Sequence, residues 1–148
     1  MKPIAPQVLA DLAGLSLRNA APDVAPAARA GQLGLSALLL GLAAEMWDGA
    51  ADLLVRENAE LRALLADGAV VSQDSARGRW LSELASGRED SLKISDLETA
   101  NAELKVALIA LHAEVEMRAD PQARSMETRV WETLARSTER RRLSGSPC

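Results

Sequence analysis

Apolar residues recur along this chain at spacings of three and four, as expected of helices that bury one side. From Ile94 onward, Ile94, Asn101, Leu108 and Val115 fall at one seven-residue phase, and Leu97, Leu104 and Leu111 fall three residues later in each repeat. These are the a and d positions of a heptad. An earlier segment carries the same pattern, with Ala30, Ala37, Ala44, Ala51, Asn58 and Leu65 at a and Leu33, Leu40, Trp47, Leu54 and Leu61 at d. Alanine at four successive a positions leaves room for a neighbouring backbone to come close.

The patterns predict a long helix over about 27–66, with Gly68 as its stop, and a second heptad helix over about 92–118. Shorter helices are expected over about 7–18, where Val8, Leu12 and Leu15 share a face, and over 77–86, carrying Trp80, Leu81 and Leu84. Asp120 and Pro121 read as a cap and a first-turn proline opening a last helix over 121–142. Residues 143–148 are expected to form a disordered tail. The expected fold class is all-α: one helical-bundle domain over 1–142, built on the long helix and the second heptad helix, with shorter flanking helices running alternately up and down.

Asn58 and Asn101 open two similar segments, NAELRALLA and NAELKVALIA, 43 residues apart. An asparagine at a buried a position costs stability and selects register and chain number. In a parallel pair the two asparagines would share a layer within one chain, or each would meet its own copy in a symmetric dimer. Otherwise both lie at a water-exposed end and specify nothing. Replacing either by leucine is expected to raise thermal stability and loosen the oligomeric state. Asn58, Asn101, Trp47, Leu54, Leu61, Leu104, Leu108 and Leu111 are therefore the candidate interaction and register residues.

The front of the long helix bears a second apolar stripe, Leu35, Leu39, Leu42, Met46 and Leu53. Its cover must come from the first helix and the last (Met126, Val130, Trp131, Leu134) or from another chain. The few large side chains on those helices favour a homodimer or a helical protein partner.

Composition agrees with helix: Ala and Leu fill 52 of 148 positions, Phe and Tyr are absent, and there are three Trp. The net charge of -4 disfavours nucleic-acid binding. The single cysteine, Cys148, excludes an intramolecular disulfide. Asp11 interrupts any signal-peptide core, and the apolar run Leu33 to Ala44 falls short of a bilayer span, so a soluble cytoplasmic protein with no membrane contact is expected.

Candidate chemistry is sparse. Glu45, Asp48 and Asp52 share one helix face and read as a solvated acidic strip; with one histidine, a ferritin-like di-metal site is excluded. His112 sits at an e position beside the seam, with Glu116 one turn on as an ion-pair partner. Arg136, Arg140, Arg141 and Arg142 read as cations complementing a helix C-terminus. No catalytic, metal or cofactor motif is present. The expected function is a non-enzymatic helical assembly or adaptor protein acting by coiled-coil-like pairing. The alternative is a bundle that holds a small apolar ligand in space left by Gly34, Ala37, Gly41 and Ala44, or an accessory subunit of an enzyme.

Overall fold

A computed structural model describes residues 8–9, 11–12, 14–15 and 25–142; within these, the side chains of Ala30, Ala37, Ala44 and Asp48 lie outside the described set. The expected tail 143–148 and much of the expected first helix also lie outside the described residues. All described regular structure is α-helical. The helices with defined bounds are α1 (Pro26–Val71), α2 (Ser75–Ser86), α3 (Ile94–Glu116) and α4 (Pro121–Arg140). The chain divides into two compact units, residues 1–50 with 143–148, and residues 51–142.

In the second unit, the helix starts follow from local chemistry. The Asp74 carboxylate accepts the N–H groups of Ala76 and Arg77 at 2.9 and 3.2 Å, capping α2. Asp120 caps α4 by accepting from the Ala123 N–H at 3.0 Å, and Pro121 occupies the first turn, where a missing N–H has no cost. Gly87 ends α2, its N–H returning to the Leu84 carbonyl at 3.3 Å.

The pairings fix the directions. Asn58 meets Leu97 and Asn101, Gly68 faces Leu111, and Val71 meets Arg118, so α1 and α3 run parallel. Arg62 of α1 reaches the Leu84 carbonyl, while a side chain at Gly78 would meet the Ala69 carbonyl, so α2 runs back along α1. Arg129 pairs with Asp67 and Arg140 with Glu60, so α4 also runs against α1. The four helical segments alternate in direction, as their connections led one to expect. Their interior is a single apolar cluster that includes Leu61, Leu65, Leu81, Leu104, Leu111 and Val130. Trp80 and Leu84 pack against it from α2.

One boundary differs from expectation. Gly68 does not stop α1, which continues to Val71. Gly68 is buried against α3, and a Cβ there would overlap the Leu111 side chain. Its small size is used for packing rather than for ending the helix. The stop lies further on, where the Ser72 hydroxyl and the Gln73 N–H both donate to Glu114 of α3, at 2.8 and 2.7 Å.

In the first unit, the described residues between 8 and 15 are helical and Leu12 is buried. Ser36 and Ala43 are the buried residues described on the front of α1. Leu33, Leu35, Leu38, Leu40 and Trp47 are all about half exposed or more.

Candidate functional site

Seven of the eight candidate interaction residues are brought together inside the bundle. Leu54, Asn58, Leu61, Leu104, Leu108, Leu111 and Asn101 are each at most 6% exposed. The Asn58 side-chain amide donates to the Leu97 carbonyl at 3.2 Å, and the Asn101 amide donates to the Asn58 side-chain oxygen at 2.8 Å. Leu97 and Asn101 are one helical turn apart on α3, so Asn58 reads both rungs of that turn. The same offset of 43 residues sets Leu61 level with Leu104 and Leu65 level with Leu108 in one apolar cluster, and Gly68 meets Leu111. The eighth residue, Trp47, is 60% exposed.

The asparagine pair changes the expected effect of single substitutions. A leucine at either position removes the bond between the two buried side chains and leaves one buried polar atom unpaired, so destabilisation is now the expected outcome.

Charged groups lock both ends of this layer stack. At one end Glu57, 4% exposed, receives Arg141, Lys105 at 3.2 Å and the Ser137 hydroxyl at 2.7 Å. Next to it Glu60 takes both guanidinium nitrogens of Arg140 at 2.5 Å each, and that hydrogen-bonded cation holds the Glu60 carboxyl below the ordinary glutamate range despite the opposing effect of burial. Three members of the arginine cluster, Arg136, Arg140 and Arg141, thus bind carboxylates of α1. Arg140 also stands in the last turn of α4, where the sequence placed it as a complement to the helix C-terminus. Glu57 was legible as a g position facing the e position of Lys105, the usual ion-pair sites of a parallel coiled coil.

At the other end Glu114 collects Ser72, Gln73 and Arg77, the last at 2.8 Å. Burial raises the Glu114 pKa, but these donors outweigh it and bring the group below its ordinary value. Arg118 donates to the Val71 carbonyl at 2.8 Å and so satisfies the end of α1. The sequence could show only the i,i+4 pair of Glu114 with Arg118, at 3.6 Å; its other partners lie on the α1–α2 connection and the start of α2.

His112 turns its ring edge-on to Trp131 of α4, with ring centroids 5.2 Å apart and planes at 88°. Its buried Nε2 has no hydrogen-bond partner, and the contact to α4 replaces the ion pair expected with Glu116. Met126 and Val130 belong to the bundle core. Asp52 of the acidic strip pairs with Arg56 at 3.0 Å, both two-thirds exposed. Among the described residues no group of three or more His, Cys, Asp or Glu is gathered as metal ligands would be.

Two solvent-open clefts of about 290 and 300 Å³ border α4, and Arg129 lines both. Glu60, Glu132 and Arg136 add further charge to the first, a lining poorly matched to an apolar ligand. On the front of α1, a side chain added at Gly34 or Gly41 would meet nothing within 4 Å.

No family model, curated protein or solved structure matches this chain.

Proposed function

We propose that the protein is a non-enzymatic helical assembly or adaptor protein, in which the front of α1 associates with a second copy or with a helix of a partner. The observation that carries this reading is the set of large apolar side chains left exposed there, Leu33, Leu35, Leu38, Leu40 and Trp47. Residues 51–142 use their own heptad seam internally, so the seam on α3 has no vacancy for a partner. The densest run of exposed large apolar side chains is on the front of α1, although Val106 and Ile109 of α3 are exposed as well. Exposed leucines in this number on one helix mark a contact surface, since an isolated helix in water gains nothing by displaying them.

The test is the mass of the full chain by light scattering and native mass spectrometry over a range of concentrations. Association predicts species of at least twice 15.7 kDa that dissociate on dilution, and Leu38→Asp should shift them to monomer. A chain that stays at 15.7 kDa at every concentration and captures no helical partner would overturn the reading.

A further inference from the structure

We infer that residues 26–47 of α1 insert across a lipid bilayer. The inference goes beyond the proposed association by naming the medium that covers the exposed leucines. Within α1, Pro26–Trp47 is a continuous 22-residue helical stretch, long and apolar enough by length and composition to cross a membrane, and only 13% of its apolar window is buried. At 1.5 Å per residue it measures about 33 Å, against a hydrocarbon core of about 30 Å. The twelve-residue run Leu33 to Ala44 looked too short because it was counted from leucine to alanine. The helix adds Pro26 to Gln32, in which Arg29 is the one charge.

Three further features separate a bilayer from a one-sided protein groove. First, the exposed leucines lie on opposite sides: at 100° per residue, Leu33 and Leu40 point one way and Leu35 and Leu38 nearly the other. A single coiled-coil partner covers one stripe, whereas lipid can cover both of these, beside the side on which Ser36 and Ala43 are already buried. Second, the charges stand at the ends. Arg29 and Glu45 bracket a stretch whose only polar side chains are Gln32 and Ser36. Charges so placed avoid the cost that a charge at the centre of the stretch would carry. Third, Trp47 closes the segment, at the depth where tryptophan is enriched in membrane-spanning helices.

The experiment is synthesis of the full chain in a cell-free system containing phosphatidylcholine and phosphatidylglycerol vesicles, followed by flotation and an alkaline carbonate wash. The wild-type chain should float with the vesicles and resist the wash. Leu35→Lys/Leu38→Lys should lower the floated fraction at least tenfold. Val106→Lys/Ile109→Lys, on exposed side chains of α3, should leave it unchanged and serve as the control for added charge. The cooperative melting of the bundle, followed by circular dichroism, should be the same in both variants, because neither touches the core. A wild-type chain that stays in the aqueous fraction as a discrete oligomer overturns insertion while leaving helix association standing. A chain that floats but washes off is bound at the surface, which also overturns insertion. A chain that floats, resists the wash and cross-links only as a monomer supports insertion and removes the association reading.

Discussion

Asn101 donates its side-chain amide to the side-chain oxygen of Asn58 across 2.8 Å, and these residues open two similar segments 43 residues apart. The spacing of the sequence similarity and the register of the parallel helix pair are therefore the same number. Slipping α3 by one heptad would part the two asparagines, setting them against Leu108 and Ala51 in one direction or Ile94 and Leu65 in the other. The pair thus disfavours the neighbouring registers, whose leucine layers would otherwise be nearly equivalent.

Asn58→Leu or Asn101→Leu alone should lower stability by about 1–3 kcal/mol, since one buried amide loses its partner. Thermal denaturation followed by circular dichroism should show a midpoint lower by about 4 °C or more. The double variant Asn58→Leu/Asn101→Leu should recover most of the loss, because an apolar layer has no group left to satisfy. Equal and additive losses in the two single variants and the double would show that the pair is not coupled.

Gly68→Ala tests the close approach of α1 and α3. Alanine favours the helix by about 1 kcal/mol, but its methyl group overlaps Leu111, and overpacking of this kind costs about 1–3 kcal/mol. Net destabilisation is expected in denaturant titrations, and Leu111→Val should offset part of it. A gain in stability from Gly68→Ala would mean the helices have room to part.

Acid should weaken the connection between α1 and α2. The Glu114 pKa is lower in the folded chain than in the unfolded one, so its contribution is complete above the unfolded value, about 4.3, and is lost as pH falls through the folded value. Glu60 acts with the same sign through Arg140. The melting temperature should therefore drop as pH goes from about 6 to about 3, and the drop should be shallower in Glu114→Gln. Parallel pH profiles for the two proteins would remove Glu114 as a contributor.

Burial separates two carboxylates of α1 that stand five residues apart, Asp52 and Glu57. Glu57→Ala strands Arg141 and Lys105 beside a buried site and should cost about 3 kcal/mol, with faster amide hydrogen exchange in the last turns of α4. Asp52→Ala breaks an exposed pair with Arg56 and should cost less than about 0.5 kcal/mol. Similar losses at both sites would count against a buried role for Glu57.

The sequence by itself determined what is local and periodic. Helix content, the heptad phases, the Asp120 cap and the polar character of two a positions all follow from residues a few places apart. The tertiary structure decided which helix met which. It set α1 parallel to α3, turned Gly68 from a stop into a contact, and drew Arg140 and Arg141 to carboxylates some 80 residues away. It also left Trp47 exposed while its seam partners Leu54 and Leu61 were buried. Periodicity tells which side of a helix is apolar, but the neighbour that covers it depends on chain direction and register, and these are set by contacts between residues far apart in the sequence.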